Sequence, residues 1–463
     1  MELLGFSYWA SRSVTFLVLS SYCVAYTPIE HCFFHSSDTY PYYGSKTAYM
    51  NNKFRPNNSN ETETNCSPKN IWFLARHGTR NPGVKYLRRM RDHLPLLRDQ
   101  ILENHGNGQG ELCKYDIELL HRWRLTASDQ EAKFLVDEGY TELESIGRRF
   151  KSRFPALFES YNNESYVFAY TESQRTEASA VAFVKGIFED EHHQVWFRPP
   201  VTPDPLLRFY KKCQKWRYEV HKNFDALFHV KMFETGPEMS NLRHIISVRL
   251  GFNRTLTQSE VDIVYLMCAF DEAWRPTVHS PWCSVFTPKD LAIIEYREDL
   301  KYYYDSGYGH DINYQQGCPM IKDVISVLKG SSQNNTIGHF YFTHSGTVLK
   351  FLARLGLFKD STPLRYDNYS TQKNRLWRTS IIDSFASNIA FVLYNCGEEE
   401  KVAVYIQEKV VKLPFCESEM CKIKEFLNGY NDIGNNCDFE AICRLPVGFS
   451  ETPNDRSIDI EDA

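Results

Sequence analysis

Three short apolar runs in this chain are each followed at once by a polar loop and then by an amphipathic helix pattern. That repeated grammar constrains the fold more than any other feature. Residues 71–75 (IWFLA) lead into Arg76-His77-Gly78-Thr79-Arg80-Asn81-Pro82 and a helical pattern from about Val84. Residues 166–170 (YVFAY) lead through a polar turn ending at Arg175 into a helix with Ala178, Val181, Ala182 and Phe188 on one side. Residues 337–342 (IGHFYF) lead into Thr343-His344-Ser345-Gly346 and a helix carrying Val348, Phe351, Leu352 and Leu355. Strand–loop–helix units of this kind predict an α/β fold with a mostly parallel central sheet flanked by helices. Ligands of such sheets bind beyond the carboxyl ends of the strands, where all three loops fall.

The units are not contiguous. The spacing predicts a core over residues 71–187 and 328–415, interrupted by a large helical insertion domain over residues 188–327, with helix-like stretches near 290–304 and 319–328. Apolar alternation at 389–394 and 402–406, separated by a polar turn at 395–398, predicts a late antiparallel hairpin. Residues 26–70 read as a polar surface leader, with order starting at residue 71. Residues 416–463 form a tail in which Cys416, Cys421, Cys437 and Cys443 suggest staples.

Cysteine usage points to the compartment. Arg12 precedes an apolar run over residues 14–25 (VTFLVLSSYCVA) ending in a small residue, so residues 1–25 read as a secretory signal peptide. Its removal takes Cys23 and reduces thirteen Cys to twelve, an even number suited to full pairing in an oxidising compartment. Seven N-x-S/T sequons, at Asn57, Asn60, Asn65, Asn163, Asn253, Asn334 and Asn368, agree with export. No second apolar stretch is long enough to span a membrane. The expected location is the secretory pathway, lumenal or extracellular.

Arg76-His77-Gly78-Thr79-Arg80 puts two guanidinium forks around an imidazole on a tight turn after a strand. Those residue types suit an anion site with a nucleophile: the forks hold phosphoryl oxygens while a ring nitrogen faces phosphorus. Arg175 and His344 arrive from the other two loops at the same face. The net charge of −5 argues against a nucleic-acid partner but permits such a local basic pocket.

R-H-G-x-R-x-P, matched in full by residues 76–82, resembles the signature of the histidine acid phosphatases. Pro82-Gly83-Val84-Lys85, the stretch from Asp299-Leu300-Lys301 to Gly307-Tyr308-Gly309-His310-Asp311-Ile312-Asn313, and the His344 unit are most similar to the inositol polyphosphate phosphatases of that family. The likeness spans about residues 70–430. It implies that His77 is a nucleophile forming a phosphohistidine. Arg76, Arg80 and Arg175 would clamp the phosphoryl oxygens, His344 would be the second catalytic histidine, and Lys85 would reach further substrate phosphates. No metal or other cofactor is implied; the partner is a small polyanionic phosphate ester such as phytate.

One position departs from the family. The second histidine there opens a His-Asp or His-Ala-Glu motif that supplies the general acid, whereas this chain reads His344-Ser345-Gly346-Thr347. General acid catalysis contributes about 10²–10⁴-fold in rate. Glu172, Glu177 and Asp311 are the sequence candidates to replace it. The alternative is a binding pseudoenzyme that keeps the clamp without turnover. A mutase or bisphosphoglycerate phosphatase fits the export signals less well, and a second basic group, Lys211, Lys212, Lys215 and Arg217, suggests an opposite wall.

Overall fold

Every side chain from Ile71 to Ala75 is fully buried, and the reason is that β1 (Ser67–Arg76) is covered on both faces. Ile71, Phe73 and Ala75 enter one apolar cluster, Trp72 and Leu74 another. A strand sandwiched this way reads as a continuous apolar run rather than an alternating one.

The computed structural model describes residues 32, 40–51, 65–330, 336–446 and 449. The expected signal peptide lies outside the described residues. After β1 come α1 (Val84–Gly106), α2 (Asp137–Arg153), β2 (Tyr166–Tyr170), α3 (Gln174–Phe188) and a two-residue strand, β3 (Phe197–Arg198). Helices then dominate, the longer ones being α4 (Pro237–Arg249), α5 (Gln258–Trp274), α6 (Pro288–Ser306) and α7 (Cys318–Leu328). The chain returns to the sheet with β4 (Gly338–Thr343), α8 (Ser345–Arg354), β5 (Asn388–Asn395), β6 (Glu400–Ile406), β7 (Lys409–Val411), β8 (Met420–Lys422) and α9 (Ile423–Asn435).

The sheet order is β3-β2-β4-β1-β5-β6-β7, with β8 also on β6. Its first four strands run parallel and the rest antiparallel. The mostly parallel sheet expected from the repeated units is therefore one half of a mixed sheet. The other half is built on the late hairpin read from the sequence: β5 runs antiparallel to β1, and β5 and β6 are joined by a short turn in which the Cys396 N–H donates to Glu399 C=O at 2.9 Å, which permits only an antiparallel pair.

One face is covered by α2 and α3, where Phe150 and Phe183 lie 5.0 and 4.6 Å from the Phe73 ring. On the other face Trp72 donates to the Asp323 carboxylate of α7 at 2.7 Å and packs 5.5 Å from Phe351 of α8.

The leader behaves differently from its polar composition. Residues 42–48 are buried, held by Gly44 N–H to Ser380 Oγ (2.9 Å) and Phe385 N–H to Thr47 C=O (3.0 Å). Composition missed this because the attachment is made by backbone groups together with polar side chains, such as Ser45 on the Tyr302 hydroxyl and Tyr49 on Glu408, whose partners lie far away in sequence. All twelve described cysteines pair: Cys32–Cys113, Cys66–Cys396, Cys213–Cys443, Cys268–Cys283, Cys318–Cys437 and Cys416–Cys421.

Candidate active site

Parallel register brings the three loops together. Arg76 ends β1 opposite Thr343 of β4, the His77 N–H donates to Thr343 C=O at 3.0 Å, and the Thr171 N–H donates to Phe342 C=O at 3.2 Å. The loop after β1 is then pinned to α2. Glu142 accepts from the Thr79 N–H (2.7 Å) and hydroxyl (3.0 Å) and from the Tyr49 N–H of the leader (2.9 Å). Burial pushes this carboxyl up to about 7 against the hydrogen bonds that favour its charge. Gly78 is required by close approach: a Cβ there would sit 2.5 Å from the Gly139 carbonyl oxygen.

A cavity opens at this edge, lined by Arg76, His77, Arg80, Arg175 and His344 together with Ser345 and Gly346. The imidazoles of His77 and His344 lie edge to face at 5.6 Å. His77 Nδ1 is 2.9 Å from Gly78 C=O, a geometry that puts the ring proton on Nδ1 and leaves the Nε2 lone pair bare. Arg175 donates to His344 Nδ1 at 3.2 Å, so the other ring nitrogen, Nε2, donates to Thr171 Oγ1 at 2.8 Å. Burial, and then Arg175, Arg76, Arg80 and His344, hold His77 well below its ordinary value. Burial, followed by Arg175, Arg208, Arg80 and Lys211, does the same to His344. Both rings are neutral in a field of cations, which is what a nitrogen nucleophile facing an anion needs.

Arg76 is immobilised from behind. Its Nη1 donates to Ser45 C=O (2.7 Å) and Asp383 C=O (2.5 Å), and its guanidinium lies 4.7 Å over the Phe385 ring. The leader also contributes Lys46, which no sequence pattern marked; burial, only partly offset by Glu298, lowers it to about 7. Arg208, Tyr210 and Asp383 were equally unmarked, since each lies far from the signature in a turn or short 3-10 segment with no pattern of its own.

Other expected residues distribute unevenly. Lys85 is exposed on the first turn of α1 and does not line the cavity. Arg88 and Arg91 pair with Asp129 at 2.7 and 2.8 Å, and Arg89 donates to Ser259 Oγ. Lys211 acts on His344, whereas Lys212 is exposed. The candidate replacement acids are elsewhere: Glu172 accepts from Thr202 Oγ1, Glu177 from the Tyr170 hydroxyl and Asp311 from the Tyr314 hydroxyl. Among the described residues, the groups with metal-donor spacing, Cys32-Cys113-Asp116 and Cys416-Cys421-Glu425, are each built on sulfurs already joined in disulfides.

Comparison with known proteins gives a consistent result. The family described as histidine phosphatase superfamily (branch 2) matches residues 69–413. Multiple inositol polyphosphate phosphatase 1 of Drosophila melanogaster is 31% identical over 439 residues, covering 91% of this chain and 92% of that one. The Homo sapiens protein of the same name is 32% identical over 441 residues, covering 89% and 90%. Among solved structures, the phytase from D. castellii superposes with a TM-score of 0.67 at 18% identity, covering 89% of this chain and 86% of that one. The Bifidobacterium longum multiple inositol polyphosphate phosphatase in complex with inositol hexasulfate gives 0.63 at 15%, covering 84% and 97%.

Proposed function

The chain belongs to branch 2 of the histidine phosphatase superfamily, and from that premise we propose that it hydrolyses inositol polyphosphates through a phosphohistidine at His77. The observation that carries this reading is the bare Nε2 of a neutral His77 inside a cavity walled by Arg76, Arg80, Arg175 and His344. Nε2 attacks phosphorus as the bond to the alkoxide oxygen breaks; water then attacks the phosphohistidine and frees the ring. Fixed guanidinium groups stabilise the charge spread over the equatorial oxygens throughout, without reorganising. The names of the relatives supply the substrate class, and Lys85, exposed beside the site, would meet outer phosphates of a polyanion.

The protein acts in the secretory pathway or outside the cell. Six disulfides suit an oxidising compartment. Asn65, Asn163 and Asn253 are exposed sequons available to glycosylation, whereas the Asn368 amide already donates to Pro363 C=O at 2.9 Å. No helix among the described residues is long and apolar enough to cross a membrane.

Phosphate release from myo-inositol hexakisphosphate by the secreted protein tests the proposal. His77→Ala is expected to abolish it, and equal release by that variant would refute the assignment. A second reading, binding without turnover, draws on Gly346 alone; tight binding of the hexakisphosphate with no release at any pH would favour it.

A further inference from the structure

Resting on the phosphatase reading, the missing acid has a physical replacement. Ser345 lines the cavity with His77 and Arg76 and is half-buried. Behind it stands Asp383, which is fully buried and accepts a hydrogen bond from Ser345 Oγ on Oδ2. The second carboxyl oxygen, Oδ1, has no hydrogen-bond partner among the described residues. The geometry points to a proton relay in which Ser345 Oγ protonates the leaving alkoxide and Asp383 replenishes Ser345.

The relay balances. As the His77 Nε2–phosphorus bond forms and the phosphorus–oxygen bond to the inositol breaks, the departing oxygen takes the Ser345 Oγ proton. In the loaded state the proton sits on Asp383 Oδ2 and the hydrogen bond runs from Oδ2–H to Ser345 Oγ, which frees the Ser345 proton for the departing oxygen. Ser345 Oγ then takes the Asp383 proton, leaving the carboxylate that accepts from it. In the second step water adds to phosphorus, its proton travels the same path in reverse, and the Nε2 lone pair returns. The groups facing Asp383 are Arg76 from β1, with Nη1 at 3.8 Å from Oδ2, Lys46 from the leader, Tyr302 from α6 and Ser345 from α8. Burial dominates and raises Asp383 to about 6, while Arg76, Ser345 and Lys46 oppose it. The acid is therefore loaded on the acidic side and empties as the pH rises past that value.

Asp305, the carboxyl that does line the cavity, cannot serve. Burial would raise it, but Lys350 and His221 outweigh burial and hold it at about 2, so it carries no proton to give. His221, 3.0 Å from Asp305, is the rival donor.

The experiment compares kcat for myo-inositol hexakisphosphate and p-nitrophenyl phosphate from about pH 4 to about pH 8. A nitrophenolate departs without a proton; an inositol alkoxide needs one. Asp383→Asn and Ser345→Ala are each expected to lower the hexakisphosphate-to-nitrophenyl ratio of kcat values by about 10²-fold or more and to remove the alkaline limb near pH 6. The double variant should be no worse than either single one, as for residues acting as a unit. An unchanged ratio overturns the relay, and so does a loss of ratio that appears in His221→Gln instead. A wild-type protein inert on both esters, like His77→Ala, overturns the phosphatase reading beneath it.

Discussion

At the scale of single residues, the site is organised around burying two imidazoles uncharged. His77 and His344 are about 97% and 98% buried by exposure of 3% and 2%, with cations on every side. Their folded values lie well below the ordinary one, so the unfolded chain takes up protons below about pH 6.5 that the native site refuses. The sign follows: each ring removes stability as the pH falls through that value, by about 1.4 kcal/mol per pH unit. His77→Gln should accordingly lose less stability between about pH 6.5 and pH 5.5 than the wild type, by about 1 kcal/mol, measured by urea unfolding at both values. A larger loss in the variant would mean the ring is charged in the native state. Gly346 makes a complementary point. Its backbone is ordinary, and an added Cβ meets Tyr210 Cζ at 3.2 Å, close enough to need a small ring shift. Gly346→Glu in the Asp383→Asn background is therefore expected to recover about 10-fold or more of the lost hexakisphosphate rate, because it returns an acid to the leaving-group side. No recovery in a folded double variant would show that a proton donor is not what that background lacks.

Elements explain why the signature was legible and its support was not. β1, β2 and β4 were readable from their apolar runs because both faces of that sheet half are covered, and Arg76 at the end of β1, His77 and His344 just beyond β1 and β4, and Arg175 at the start of α3 follow from them without further assistance. Beside the Glu142 hydrogen bonds, a contact between backbones holds the first loop in place. Gly78 lies against Gly139 of α2, and a Cβ on Gly139 would in turn meet Thr79 C=O at 2.3 Å. Nothing in a sequence announces that two glycines sixty-one residues apart must touch. The buried leader hid for the same reason: Ser45 serves Arg76 through its carbonyl oxygen, which every residue possesses. Gly78→Ala is the test at this scale. The neighbouring oxygen belongs to the main chain and cannot rotate away, so the variant should lose about 1–3 kcal/mol of stability and most of its phosphate release. Retention of full activity with an unchanged melting temperature would mean that α2 does not position the loop.

Across the whole molecule, the disulfides do for the late chain what the sheet does for the loops. The sequence promised twelve paired cysteines and a stapled tail, but pairing partners are a property of the fold, and two of the tail cysteines reach far back. Cys443 joins Cys213, and Cys437, just beyond α9, joins Cys318 at the start of α7, the helix that precedes β4 and hence His344. The second link spans 119 residues. Closing a loop of that size removes denatured-state entropy worth roughly 5 kcal/mol in the chain-entropy account, and native bridges typically contribute about 2–5 kcal/mol. α9 also packs by burying Phe426 and Tyr430, with the Tyr430 hydroxyl donating to Leu355 C=O at 3.0 Å at the end of α8. Noncovalent contacts therefore remain when the bridge is removed. Cys318→Ser with Cys437→Ser should lower the melting temperature by about 4 °C or more while phosphate release at room temperature stays close to wild type, since neither cysteine lines the cavity. If activity instead falls in step with stability at low temperature, the bridge is setting the position of β4 and His344, and the tail belongs to the machinery of the site rather than to its protection.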